Sequence, residues 1–473
     1  LLTRLVFAAS LAGGITGCDL DFDDPIITIN VDSEQKISEI DGNFNGVLSD
    51  SSAFGYALAN LGDLEVDGVQ DLVVGAPLDN DGGPGRGAVW VMFMDTDGNV
   101  DTETKISARE GDFNGRLDDN DHFGSAVTSI RDLDGDGIGD LDGDGITDLA
   151  VGAPLDDDGG IDRGAVWILF LRQDGTVRHE QKISQEEGNF DGRLDDGDQF
   201  GAAVTALDDL DGDGIPDIAV GAPLDDDTAT DAGAVWILYM NANGTVRTEE
   251  KISADSGNFD GLLTGGDNFG RALANMGDLN RDGIVDIAVG APGDDDGATD
   301  FGAAWILFLS RPGVVVTEQK ISAADAGLID KLLLNGGDRF GTALANAGDI
   351  DRDGVTDLVV GAPFDDDGAT DTGALWLLFM KLDGTVNQLL KISRSEGLLG
   401  ALLDSGDGFG SAVAGIGNLD RVRALDLAVG APFDQTLGIE KGAVWILFME
   451  ETRTTTECEQ NPLLQFFGVG DCV

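Results

Sequence analysis

The feature that most narrows the folds open to this chain is its internal repetition. Gly-Ala-Pro occurs six times, beginning at Gly75, Gly152, Gly221, Gly290, Gly361 and Gly430, at intervals of 77, 69, 69, 71 and 69 residues. Phe-Gly precedes each of them, at Phe54, Phe123, Phe200, Phe269, Phe340 and Phe409. All six tryptophans, Trp90, Trp167, Trp236, Trp305, Trp376 and Trp445, take one place in their units, inside Gly-Ala-Val-Trp or a close variant. Lys-Ile-Ser recurs at Lys36, Lys105, Lys182, Lys251, Lys320 and Lys391. Chance does not keep such a register, so the repeat sets the architecture and overrides a domain count based on length.

Each unit offers four strand-like segments. In the third they are Phe200–Leu207, Asp217–Val220, Ala234–Tyr239 and Val246–Ile252. All are short, most are rich in β-branched or aromatic residues, and Gly/Asp turns bound them. The 70 glycines among 473 residues are about double the usual frequency of roughly 7%, as many tight turns require. No stretch carries helical periodicity through three turns. Four short strands recurring many times predict an all-β propeller of four-stranded blades, with Trp and Phe packed between neighbouring blades. The alternative for those aromatics is a platform on which a ligand stacks. Six units are visible. The sixth has no Lys-Ile-Ser strand after Trp445, whereas Ile26 to Ser38 supplies one ahead of the first Phe-Gly. That segment is expected to complete the last blade and close the ring. A seventh blade would have to come from the tail after Glu450.

Phe-Gly, an acidic loop and Gly-Ala-Pro together resemble the FG-GAP repeat of integrin α-subunit propellers, over residues 31–450. Those propellers have seven blades. The resemblance implies cation-binding loops and a role in adhesion or protein recognition, an analogy at the level of the fold.

The acidic loops lie between Phe-Gly and Gly-Ala-Pro. Acidic or amide residues stand at their first, third, fifth and ninth positions, with Gly at the sixth. Alternating carboxylates converge when such a loop curls, and hard, anionic oxygens suit calcium over softer metals. By resemblance, those four side chains and the seventh carbonyl are the ligands. They are Asp63, Glu65, Asp67, Val69 and Asp71 in the first unit, and Asp209, Asp211, Asp213, Ile215 and Asp217 in the third. The fourth unit has Asp278, Asn280, Asp282, Ile284 and Asp286, and the fifth Asp349, Asp351, Asp353, Val355 and Asp357. The second unit doubles its loop as Asp132, Asp134, Asp136, Asp140 and then Asp140, Asp142, Asp144, Asp148, the copies sharing Asp140. The sixth, Asn418 to Asp426, has Val422 at the fifth position and Arg423 at the sixth, so no metal is expected there. About five calcium ions follow, or six if both halves of the doubled loop fill. An EF-hand is excluded, because the twelfth position, where it needs Glu, is Val74, Val220, Val289 or Val360. A second acidic cluster follows most Gly-Ala-Pro motifs, as in Asp225–Asp227 and Asp365–Asp367. It reads as solvated turns, with further cation sites as the alternative.

Composition narrows the partners. The formal charge of −61 repels nucleic acid and anionic lipid, so neither is expected. Only His122 and His179 are present, and no catalytic constellation or zinc spacing emerges. A non-enzymatic module with a protein or glycan ligand is the leading expectation. A lectin and a polysaccharide-degrading enzyme are the alternatives.

Residues 1–17 read as a secretory signal. Its Ile-Thr-Gly-Cys ending resembles the lipobox of bacterial lipoproteins, which would lipidate Cys18 and anchor the protein to the cell envelope. An ordinary signal peptide and free secretion is the alternative. Residues 18–30 then form an acidic tether. In the tail, residues 451–473, Cys458 and Cys472 either bridge or stay free thiols.

Overall fold

The computed structural model describes residues 26–454, apart from 131–145, 325–333, 397–398, 400–401, 423–424 and 437–438. The signal, Cys18, Cys458, Cys472 and all of the doubled loop up to Asp144 lie outside the described residues. Ile29 to Glu450 form one compact unit. It is built from six four-stranded antiparallel sheets. The first blade comprises Ala57–Gly62, Asp71–Ala76, Ala88–Met94 and Val100–Ser107, paired in chain order. The last comprises Ala412–Gly415, Leu427–Ala431 and Ala443–Thr454, and Ile26–Ile37 adds to it as the fourth strand. The first strands of successive blades touch in a ring, with the strand of the sixth blade against that of the first. This is a six-bladed propeller closed by its own N-terminal strand. Among the described residues no helix is long and apolar enough to cross a membrane.

Strand composition follows position in the blade. First strands such as ALANLG and AVTA are rich in alanine, because six of them converge around one channel. Third strands such as AVWILYM are buried at every residue, since a neighbouring blade covers each face. Fourth strands such as VRTEEKI expose their middles at the outer rim. In the third blade the first strand spans Ala203–Ala206, shorter than the expected Phe200–Leu207. Its Phe-Gly has another task.

That task is joining blades. Phe200 forms a parallel bridge with Gly164 of the preceding blade, Phe123 with Gly87, and Phe54 with Gly442, which closes the ring. The six Phe rings are fully buried, and truncating one to Ala would cost about 3–5 kcal/mol. The glycine of Gly-Ala-Pro answers to the same seam. A Cβ on Gly152 would stand only 1.9 Å from the carbonyl oxygen of Gly201 in the next blade, so any side chain there pushes the blades apart. Each cluster of buried apolar residues draws on two adjacent blades, as where Phe123 and Trp167 meet Val73 and Val91. All six tryptophans are 1–6% exposed, and Trp90, Trp167, Trp236 and Trp305 stand edge-on to Phe44, Phe113, Phe190 and Phe259 at 5.0–5.1 Å. They are seam residues, and the ligand-platform alternative fails on their burial.

The acids after Gly-Ala-Pro divide: the middle ones, Asp157, Asp226, Asp295 and Asp366, are exposed as expected, but those that flank them are not simply solvated. Lys182 Nζ lies 2.6 Å from both Asp156 and Asp158 and 5.5 Å above the Trp167 ring. Ser184 Oγ donates to Asp158 at 3.1 Å. Lys105, Lys251, Lys320 and Lys391 repeat the arrangement, which uses Lys-Ile-Ser, the acids and the tryptophan together. In the last blade Lys36 of the N-terminal strand pairs with Asp434 at 2.7 Å, so the clamp also fastens the two ends of the ring.

Candidate cation loops

Each acidic loop joins a first strand to a second, so these loops gather at one end of the central channel. Their backbone is shaped by their own carboxylates. In the third blade Asp209 accepts the N–H groups of Asp213 at 2.9 Å and Gly214 at 2.7 Å. Asp213 accepts that of Ile215 at 3.0 Å. Asp63 and Asp278 accept the same fifth- and sixth-position donors in their loops, and Asp349 accepts that of Gly354. The sixth-position glycines Gly68, Gly214, Gly283 and Gly354 have φ between 85 and 89°, the left-handed region where glycine is cheapest. Val69 and Val355 bury their side chains in the seams.

The ninth-position Asp does something the expectation missed. Asp217 accepts the N–H of Leu210 at 3.1 Å and of Met240 at 3.0 Å, one on each oxygen. It thereby pins the loop to the end of the third strand. Asp71, Asp286 and Asp357 make the same pair of bonds. So does Asp426 in the sixth loop, where the fifth carboxylate is gone. Recurrence of this residue therefore has an architectural cause, independent of any ion. Burial pushes the carboxyls of Asp71, Asp217, Asp286 and Asp357 up to about 7 and that of Asp426 to about 6, against the opposing effect of the backbone donors. Asp148, the last residue of the doubled loop, is fully buried and accepts the N–H of Leu171.

A hard cation fits two of these loops on direct geometric grounds. Among the described residues, Asp209, Asp211 and Asp217 bring carboxylate oxygens within 4.8 Å of one another, and so do Asp349, Asp351 and Asp353. That spacing suits oxygens sharing one ion at roughly 2.3–2.6 Å. Oδ1 of Asp211 is buried without a hydrogen-bond partner, an arrangement that costs energy unless something positive meets it. The loops also differ. Arg247, from the fourth strand of the third blade, reaches Asp211 with one nitrogen and Asp213 with the other at 3.2 Å. The matching residue in the first blade is Asp101, which joins Asp67 and Asp63 in raising the carboxyl of Glu65, after burial. In the fourth it is Val316, largely exposed. Nothing within the loop sequences signals Arg247, because it lies thirty-odd positions downstream and reaches the loop only through sheet pairing.

Five stretches of the chain, residues 54–92, 137–169, 200–238, 269–307 and 340–378, match the FG-GAP repeat. The chain is 35% identical to integrin alpha-2 of Mus musculus over 256 residues, 53% of this chain and 19% of that protein. It is 35% identical to integrin alpha-11 of Homo sapiens over 178 residues, 36% of this chain and 13% of that one. Integrin alpha-4 of Xenopus laevis is 34% identical over 200 residues, 41% and 17% respectively. The chain thus spans less than a fifth of the length of each of these relatives. A crystal structure of BBS1N in complex with ARL6DN overlays 90% of the chain with a TM-score of 0.40 and 12% identity, too slight a likeness to argue from. The chain is thus a propeller with five stretches that match the FG-GAP repeat, and it is similar over part of its length to integrin alpha chains.

Proposed function

We propose that this propeller is a calcium-stabilised recognition module that displays a binding surface outside the cell. The observation that carries the calcium part is the convergence of three carboxylates in the fifth loop, Asp349, Asp351 and Asp353, and of Asp209, Asp211 and Asp217 in the third, where Arg247 already meets one oxygen of Asp211. Calcium there would join segments that repel one another without it. The recognition part rests on the FG-GAP repeats and on the similarity to integrin alpha chains. The propeller works without chemistry of its own. An envelope location rests on the signal-like residues 1–17 and on Cys18. Cys18→Ser should release the protein from the membrane fraction, and equal partitioning of both forms would leave a secreted propeller.

The decisive experiment presents the recombinant propeller, with calcium and with EGTA, to a glycan array and to a panel of matrix and cell-surface proteins. Calcium-dependent capture of a protein supports the reading. Capture confined to glycans would make it a lectin, and release of products from a polysaccharide would make it an enzyme.

A further inference from the structure

The end of the channel away from the acidic loops is where the repeat breaks. The residue after Phe-Gly immediately precedes each first strand and lines the mouth there: Tyr56, Ser125, Ala202, Arg271, Thr342 and Ser411. Tyr56 and Arg271 come from opposite blades, the first and the fourth, and meet across the axis. Arg271 Nη2 donates to Tyr56 Oη at 2.6 Å, with the guanidinium 5.7 Å from the ring centroid. This bridge parts the mouth into two cavities, one of about 210 Å³ and one of about 150 Å³.

The larger cavity is basic and aromatic in a chain that carries 89 acids against 28 lysines and arginines. Arg271 and Arg339 line it with a single acid, Asp300, and with Phe364 and Phe433. Arg339 lies 5.3 Å over Phe364 and only 3.9 Å from Asp300, an ion pair at the limit of contact, with half its side chain exposed. Its backbone is left-handed at φ 55°, as is the residue before Phe-Gly in every other blade, from Ala53 to Gly408, so the repeat sets this conformation and Arg339 is set apart by its side chain. Room for the cavity comes from Gly293, which stands where other blades carry Leu78, Leu155, Leu224, Phe364 and Phe433. A Cβ at Gly293 would lie 2.0 Å from the carbonyl oxygen of Gly266.

We infer that this cavity is a carboxylate-recognition site that accepts one acidic side chain of a protein ligand, whose remaining surface is neutral or basic. Arg271 already donates from Nη2 to Tyr56 and from Nη1 to the carbonyl of Ala202 at 3.5 Å, so a carboxylate would meet the fork of Arg339 and the remaining N–H groups of Arg271, beside the aromatic walls. The field of the molecule decides between sources. A polyuronate or other polyanion meets a net charge of −61 along its whole length, whereas a single acid on a basic surface is drawn in. The inference deepens the recognition reading and rests on it.

The test titrates the full chain with acetyl-Phe-Asp-amide and its Asn isostere. The Asp form should bind about tenfold tighter, a difference of about 1.4 kcal/mol. That preference should vanish in Arg271→Gln/Arg339→Gln and survive in Arg109→Gln, an exposed arginine elsewhere, with the melting curve of each variant confirming its fold. Equal binding of the two peptides, no binding at about 10 mM (a ceiling of roughly 2.7 kcal/mol in affinity), or a preference that survives the double substitution would overturn it. Oligogalacturonate binding more tightly than the peptide, with the same arginine dependence, would overturn the protein ligand. A protein captured on the panel whose binding ignores both arginines would leave recognition standing and remove this site.

Discussion

The two ends of the channel are made by the same six strands, yet they obey different rules. At the loop end the pattern repeats: an Asp organises the turn, a glycine bends it, and a buried Asp pins it to the sheet. At the mouth the corresponding positions hold Tyr56, Ser125, Ala202, Arg271, Thr342 and Ser411, and opposite blades supply unlike side chains that meet over the axis. A repeated end serves what every blade needs, namely a turn pinned to its own sheet. An irregular end can distinguish one ligand from another, because a ligand on the axis touches all blades at once.

The largest effect that would break this comparison is on stability. A loop with a dissociation constant of about 10⁻⁴ M gains roughly 2.7 kcal/mol at a hundredfold calcium excess. Several such loops should lift the melting temperature by many degrees, while Arg271→Gln and Arg339→Gln leave the calcium response intact. An unchanged curve in EGTA would remove structural calcium from the loop end. Next comes Asp353→Ala in the fifth loop, which should lose one ion and the stability linked to it. Asp420→Ala in the sixth should change neither. Titration calorimetry counts the ions, and one found at Asp420 would show that the positional ligand rule is wrong.

Proton linkage sharpens the contrast from the other end. Near the mouth, burial raises the carboxyls of Asp121 and Asp198 to about 7 and of Asp338 and Asp407 to about 6. Acids raised in the folded state favour folding below their unfolded pKa, near 4. That contribution is lost as pH climbs through 6 to 7. Metal-free protein should therefore grow less stable from pH 4 to pH 7, and Asp198→Asn should flatten the slope. A variant with the parent slope would show that Asp198 titrates normally. The smallest effect is at Arg247. Its ion pairs are part-exposed and worth up to about 1 kcal/mol. Arg247→Ala should tighten calcium at the third loop by no more than about fivefold, which calorimetry on the single variant would read. A weakened site would instead make Arg247 a support for the loop.

Much of this was legible in the residues. Repeats such as Phe200-Gly201 and Gly221-Ala222-Pro223 announced the blades, because a blade cannot bury both faces alone and so must recur. The missing fourth strand after Trp445 and the spare one before Phe54 foretold the closure, since an unpaired edge demands a partner. Asp211 and Asp353 could be placed in loops because their alternation is local. The acids at Asp156 and Asp158 were misread as solvated, since their partner Lys182 is remote in sequence and local composition looked like surface.

What the sequence by itself determined is therefore whatever a single unit states in its own register: strand order, turn chemistry, blade count and the acidic loops. Tertiary structure alone decided which groups from different units meet. It set Lys36 against Asp434, and Arg271 against Tyr56 from the opposite side of the ring. The physical reason is closure. Hydrogen-bond patterns and turns act over a few residues, whereas bending six blades into a ring brings together side chains hundreds of positions apart, and no local pattern encodes which pairs those will be.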